Sequence, residues 1–134
     1  MMPALKTMLV VTVGALTFMA SMLSERPRAP KFLRAPSFAA QSEPLHIETQ
    51  ITPHPDIRHV GLDAWTADVD PDTGAWSRQA YVTGSSRQVT DPAQRTFIWD
   101  WRAGTLPEGR YILVAKIITR LFVALETRHN LEVV

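Results

Sequence analysis

The hydrophobic and polar positions follow one pattern in the first 25 residues and a different pattern in the rest of the chain. Residues 7–23 form an apolar run without charge or proline. A spanning helix needs about 17 to 25 such residues, whereas the core of a cleaved signal peptide has about 7 to 15. The run predicts a transmembrane anchor helix in residues 1–25, with a cleaved signal as the alternative. Its apolar side chains include Leu9, Val10, Val13, Leu16, Phe18 and Leu23.

Residues 26–44 contain four prolines and no periodic pattern. Such a composition predicts an extended, semi-rigid spacer rather than a helix. Its basic residues alternate with Phe32, Leu33 and Phe38, so the segment either lies along anionic lipid headgroups or is an ordinary solvated linker. We expect Phe32 and Leu33 to contact a partner.

After Pro44 the chain consists of short runs rich in β-branched and aromatic residues, separated by Gly, Pro, Asp and Ser. This pattern predicts an all-β sandwich or barrel over residues 45–134. The predicted strands are Leu45–Ile51, Ile57–Val69, Ala75–Thr83, Arg95–Trp101, Arg110–Thr119 and Leu121–Val133, with turns at residues 70–74 and 84–86 among others.

The stretch LPEGRYILVA at residues 106–115 resembles the corner and following strand of bacterial immunoglobulin-like modules. The resemblance implies an immunoglobulin-like antiparallel sandwich of six to seven strands, preceded here by one transmembrane helix. It also implies that Gly109 leads into a corner tyrosine, Tyr111, and that Leu113 stands where antibody domains have a cysteine. Trp76 would be the core tryptophan. The architecture carries no activity by itself, because it supports many unrelated functions.

Composition narrows the possible chemistry. The chain has 14 Lys and Arg residues, 13 Asp and Glu residues and no cysteine. A nearly neutral chain is not expected to bind nucleic acid, and without cysteine it has no thiolate nucleophile or ligand. The four histidines lack the spacing of a metal motif, and no nucleophile signature is present. We therefore expect a protein that is not an enzyme and needs no cofactor.

Three stretches of the β region are candidate sites. Asp68, Asp70 and Asp72 alternate as in oxygen-ligand calcium loops, although a polar hairpin tip explains them better. Phe97, Trp99 and Trp101 share one strand face, which forms either the core or a binding surface for a protein or a sugar. Residues 111–125 are apolar on both strand faces, which predicts a partner contact that includes Leu121 and Phe122, unless the strand curves over the core.

A retained single span needs other helices to fix its place, and the chain resembles small accessory subunits of membrane complexes. We therefore expect a non-catalytic accessory subunit of a bacterial inner-membrane complex. The host complex that we expect is a photosynthetic or respiratory assembly. Its partners would be integral membrane subunits and the bilayer. The basic residues after the span favour a cytoplasmic domain, but the resemblance to exported modules favours the periplasm. The alternatives are a surface module that binds through Trp99 and Trp101, and an envelope assembly factor.

Overall fold

The computed structural model describes residues 26–134, in which eight strands form two sheets that pack face to face. The strands are β1 (Lys31–Arg34), β2 (Phe38–Ala39), β3 (Leu45–Gln50), β4 (Ile57–Val69), β5 (Trp76–Gln88), β6 (Thr96–Trp101), β7 (Gly109–Thr119) and β8 (Ala124–Val133). The all-β prediction is therefore confirmed for this part of the chain, which contains no helix.

The two sheets differ in size. The smaller has the order β1-β3-β6 and the larger the order β2-β8-β7-β4-β5. All neighbouring strands are antiparallel except β2 and β8, which run parallel over two residue pairs. Because β1 belongs to the small sheet and β2 to the large one, residues 31–39 cross from one layer to the other.

The core lies between the sheets and follows from the alternation of side chains along each strand. On the small sheet it receives every second residue of β3 and β6, and on the large sheet the inward side chains of β4, β7 and β8. The largest fully buried side chain is Trp99, followed by Phe97 and Ile47. The sandwich is thus held together chiefly by burial of aromatic and branched side chains.

Local pattern located most strands well, and β4 has the predicted bounds. The largest difference is in β5, which continues through the predicted turn at residues 84–86 to Gln88. Gly84 lies opposite Asp63 in the β4–β5 ladder, and a Cβ atom there would collide with Asp63 Oδ1. Gly84 is thus needed for close approach of a neighbouring side chain and does not mark a turn.

The predicted spacer is wrong for residues 31–34 and 38–39, because these residues are strands of the sandwich. Lys31 lies opposite Gln50 in the small sheet, and Phe38 lies opposite Glu132 in the large sheet. Phe32 packs against the core and its ring lies 5.4 Å from the ring of His129. The folded domain therefore begins about fourteen residues earlier than residue 45, counting from Lys31.

The predicted anchor helix and its six apolar side chains fall within residues 1–25, outside the residues that the structure describes. Within residues 26–134 we find no helix of the length and hydrophobicity that a membrane crossing requires.

Candidate functional site

The two tryptophans predicted as a binding surface are buried. Trp99 is 1% exposed and Trp101 is 8% exposed. Trp99 Nε1 donates a 3.0 Å hydrogen bond to Thr49 Oγ1, and Trp101 Nε1 donates one of 3.3 Å to Ser85 Oγ. The prediction that these rings contact a sugar or a partner is wrong, because they fill the core and bind partners within the sandwich.

The corner before β7 has the geometry that its sequence predicts. Tyr111 is 4% exposed, and its hydroxyl donates a 2.6 Å hydrogen bond to the carbonyl oxygen of Pro107. Burial raises the pKa of this hydroxyl. Gly109 has a φ of 154°, and a Cβ there would stand 3.6 Å from the Tyr111 ring. Leu113 is fully buried.

Trp76 does not have the predicted core position. It begins β5 at the edge of the large sheet and is half-buried, with the guanidinium of Arg110 lying 5.9 Å from its ring centre. Trp76 was a misleading candidate for the core tryptophan because it stands at the beginning of a strand, β5. The tryptophans of the core come from β6.

The aspartates of the β4–β5 turn do not converge on one point. Asp70 Oδ1 accepts hydrogen bonds from the backbone nitrogens of Asp72 and Thr73, at 2.8 and 3.3 Å. This arrangement is an Asx turn, in which the carboxylate closes the hairpin. In the part of the chain that the structure describes, no three His, Cys, Asp or Glu side chains are grouped to hold a metal ion. The calcium prediction for Asp68, Asp70 and Asp72 is therefore wrong.

The second apolar face of β7 is covered by the chain itself. Ile112 and Val114 point away from the main core, yet both are at most 1% exposed. Arg78 of β5 forms a 3.1 Å ion pair with Glu126 of β8. Because β4 and β7 lie between these strands, the two side chains cross over the apolar face and shield it. Ile112 and Val114 are therefore not exposed to a partner.

Two further ionic groups are also used structurally. Lys116 Nζ lies 2.8 Å from Asp63 Oδ2 on the same face of the large sheet. On the small sheet, His46 Nδ1 lies 2.6 Å from Asp100 Oδ1 and its Nε2 lies 3.3 Å from Glu48 Oε1. The hydrogen bond to Asp100, and then that to Glu48, raises the pKa of His46. These groups join neighbouring strands and do not line a common cleft.

Strand directions divide the loops between two ends of the sandwich. One end, which we call the Arg26 end, holds residues 26–30, 51–56, 89–95 and 120–123. The opposite end, called the distal end, holds residues 40–44, 70–75 and 102–108. Hydrogen bonds within each end support this division, such as Arg120 N to Asp56 O and Gly104 N to Gln41 O, both at 2.9 Å.

The two ends carry opposite charge. The loops of the Arg26 end contain four arginines and two aspartates, a net charge of 4 − 2 = +2, from Arg26, Arg28, Arg95, Arg120, Asp56 and Asp91. The loops of the distal end contain one arginine and four carboxylates, a net charge of 1 − 4 = −3, from Arg102, Glu43, Asp70, Asp72 and Glu108. The net charge of the whole chain is close to zero, although the loops at the two ends of the domain have opposite net charges.

The two most exposed large hydrophobic side chains of the described residues, those of Phe122 and Leu121, also lie at the Arg26 end. Residues 120–123, which we call the β7–β8 tip, expose Leu121 to 76%, Phe122 to 88% and Val123 to 52%. The turn is closed by a 2.9 Å hydrogen bond from Phe122 N to Thr119 O and one of 3.0 Å from Thr119 N to Val123 O. Thus the structure leaves exposed Leu121 and Phe122, which the sequence pattern predicts to contact a partner.

The first described residues lie against this tip. An open groove of about 270 Å³ is lined by Arg26 and Pro27 on one side and by Leu121, Val123 and Leu125 on the other. A little further on, Thr127 Oγ1 donates a 2.5 Å hydrogen bond to the carbonyl oxygen of Pro30. The chain therefore reaches the sandwich beside the exposed apolar tip.

Of the other residues expected to contact a partner, Leu33 is 51% exposed on β1, whereas Phe32 is half-buried. The sequence did not reveal that Arg26 and Leu121 are neighbours or that arginines of separate loops share one end. Neither fact is visible in the composition, because both depend on the direction of each strand. The signal that was available is the odd run Leu121–Phe122–Val123 at a turn, where polar residues are usual.

Comparison with known proteins shows a shared fold only. No protein-family model and no curated sequence matches the chain. Among solved structures, superoxide reductase (neelaredoxin) from Ignicoccus hospitalis superposes with a TM-score of 0.52 at 16% identity, over 81% of this chain and 82% of that one. A variant of the same reductase gives 0.53 at 16% identity, over 84% and 86%. The sporulation control protein Spo0M from Bacillus subtilis gives 0.50 at 12% identity, over 81% of this chain and 50% of that one.

Proposed function

We propose that this protein is a non-catalytic, single-span accessory subunit of a larger bacterial membrane complex, with its β domain fixed directly on the bilayer surface. The host to test first is a photosynthetic reaction-centre, light-harvesting or respiratory assembly of the inner membrane, with the domain on the periplasmic side. The observation that carries the proposal is that Arg26 and Pro27, the first described residues, already lie against the β7–β8 tip, three and four residues after the apolar run of the predicted span.

The connection is short and firmly held. The apolar run ends at Leu23, and an extended chain covers at most about 11 Å from there to Arg26. From Pro30 onward the chain is hydrogen-bonded to β8 and then paired in both sheets. An adhesin or a client-binding assembly factor gains reach from a flexible linker. A domain attached without one suits a subunit that holds a fixed place in an assembly.

The ionic groups of the described residues support a structural role. His46, Lys116 and Arg78 each bind carboxylates of another strand, so they strengthen the sandwich. The likeness to superoxide reductase is a likeness of fold at 16% identity, and fold alone does not transfer an activity. We therefore assign the reductase activity to that protein and not to this chain.

We further infer that the domain is an immunoglobulin-like module. The buried Tyr111 donates its hydroxyl hydrogen to a backbone carbonyl four residues upstream, as the corner tyrosine of such domains does. The pairing of β2 with β8 in parallel adds an edge strand that the sequence pattern did not predict.

The test uses the tagged full-length chain, solubilised from its own membranes in a mild detergent and analysed by native electrophoresis and mass spectrometry. We expect a stable complex in which integral membrane subunits are recovered in fixed proportion to the chain. A chain that runs alone and recovers no membrane partner would show that the proposal is wrong. Protease protection in right-side-out spheroplasts tests the side, since an exposed domain is expected there.

A flexible insertion tests the importance of the rigid attachment. Ten Gly and Ser residues inserted between Pro27 and Arg28 would free the domain from the bilayer while leaving both sheets intact. We expect recovery of the host subunits to fall sharply. The same insertion between Thr73 and Gly74, in the exposed distal turn, is the matched control and should leave recovery unchanged. Equal recovery from both variants would contradict a role for the fixed position.

A further inference from the structure

We propose that the β7–β8 tip inserts into the membrane, so that Leu121, Phe122 and Val123 lie among the lipid headgroups and the upper acyl chains. The inference goes beyond the accessory role, but it rests on that proposal for the membrane span. It assigns to the folded domain a membrane contact in addition to the predicted span.

The fold does not explain why a Phe occupies position 122. Its φ is 61°, in the left-handed region that an aromatic residue rarely adopts. The turn is a three-residue hairpin loop whose left-handed position is usually occupied by Gly. A Phe side chain that is 88% exposed gains almost no burial in return. Strained and exposed residues of this kind are typical of functional positions.

The location of the tip identifies lipid as its occupant. Leu121 and Val123 line the same groove as Arg26 and Pro27. Because Arg26 is only three residues from the end of the apolar run, this end of the domain has to lie close to the bilayer that holds the span. Exposed Leu, Phe and Val side chains at that height are buried by entering the interfacial region.

Charge supports the same orientation. The loops around the tip carry a net charge of +2, and those of the distal end carry −3. Basic residues close to a bilayer are attracted to anionic headgroups, whereas carboxylates are repelled. Arg120 is both part of the tip and 3.1 Å from Asp56, which holds its guanidinium at the level of the neighbouring loop. The domain therefore presents an apolar tip at an end whose loops have a net positive charge, which is the composition of an interfacial membrane contact.

The test measures the depth of the tip in the full-length chain. The absence of cysteine permits a single environment-sensitive fluorophore at Leu121→Cys, with Ser42→Cys at the distal end as the matched control. Each labelled chain is reconstituted as one copy per nanodisc of phosphatidylcholine and phosphatidylglycerol. We expect nitroxide groups on the lipid chains to quench the Leu121 position several-fold more strongly than the Ser42 position. An aqueous quencher should show the reverse order.

Other outcomes overturn the proposal. A tip probe that the aqueous quencher reaches as readily as Ser42 would mean that the tip lies in solvent. A tip probe protected from both quenchers would mean that protein covers it, which in a nanodisc with one copy is the chain itself. Alkaline carbonate extraction separates the two proposals, because release of the chain would contradict the span itself. Retention of the chain with an unquenched tip would contradict insertion alone.

A variant tests whether the apolar side chains cause the insertion. Phe122→Ser and Val123→Ser together, in the labelled Leu121→Cys chain, should reduce quenching by lipid nitroxides several-fold. Leu33→Ser is the control, because Leu33 is 51% exposed on β1, close to the 52% of Val123, and lies outside the tip. The β-sheet circular dichroism of all variants should match that of the parent. Unchanged quenching in the double variant would contradict insertion through these side chains.

Discussion

The hydrogen bond between Trp99 and Thr49 provides a sharp test of the core. Trp99 Nε1 donates to Thr49 Oγ1 at 3.0 Å, and the two residues are 1% and 3% exposed. Thr49→Val keeps the shape of the side chain but leaves the indole N–H without a partner in an apolar site. An unsatisfied buried donor costs about 1 to 3 kcal/mol, and the added methyl group returns about 0.8 kcal/mol. We expect a net loss of about 0.2 to 2 kcal/mol.

The measurement is urea unfolding of residues 26–134, followed by far-ultraviolet circular dichroism, in a double-mutant cycle with Trp99→Phe. In the Phe background Thr49→Val removes no hydrogen bond and adds the same methyl group, so it should stabilise the domain by about 0.8 kcal/mol. The methyl gain cancels in the cycle, and the coupling free energy should be about 1 to 3 kcal/mol. The midpoint should shift at an unchanged slope, since a pure stability change leaves the exposed area constant. A coupling below about 0.3 kcal/mol would refute the buried hydrogen bond and the packing of Trp99.

Three further predictions follow from the other contacts. Tyr111→Phe should lower the free energy of unfolding by about 1 kcal/mol in the same assay, because it removes one hydrogen bond to the backbone. Gly84→Ala should lower the free energy of unfolding by more than Gly74→Ala does. A Cβ at position 84 would collide with Asp63 Oδ1. At Gly74, in the distal turn, nothing lies within 4 Å of the added Cβ, and the positive φ is the only obstacle. The hydrogen bond to Asp100 raises the pKa of His46 above 6.5, so its stabilising effect should be complete below that pH and disappear as the pH rises through the higher folded value. Relative to His46→Gln, the melting temperature should therefore fall as the pH is raised from below 6.5 through the higher folded pKa of His46. A constant difference would contradict the contact.

The sequence was informative where structure depends on neighbours along the chain. Apolar and polar residues alternate along β3 and β6, and Pro and Gly residues mark the turns beside them. These signals predicted both strands to within one residue at each end. Tyr111 could be recognised because its hydrogen-bond acceptor lies only four residues away. In these cases the determining contacts are local, so a short window of sequence contains them.

Prediction failed where the determining partner lies far along the chain. The strand at Lys31–Arg34 is stabilised by residues 48–50, and the carbonyl of Pro30 is bound by Thr127. Prolines in this segment suggested a free spacer, although Pro is compatible with the ends of edge strands. The outer face of β7 was misread for the same reason, because the arginine that covers it comes from β5 and the glutamate from β8.

The proposed attachment to the span and the proposed insertion of the tip together determine which surface of the domain a partner can contact. A lone span leaves the rotation of a domain about the membrane normal free, and an inserted tip on the same domain limits its tilt. With β4 extending 13 residues from the Arg26 end, the distal loops would stand about 40 Å from the bilayer. At that height the surface carries the charge of −3, so a basic region of a neighbouring extramembrane domain is the complementary contact. In the proposed arrangement, therefore, the basic end contacts lipid and the acidic end contacts protein.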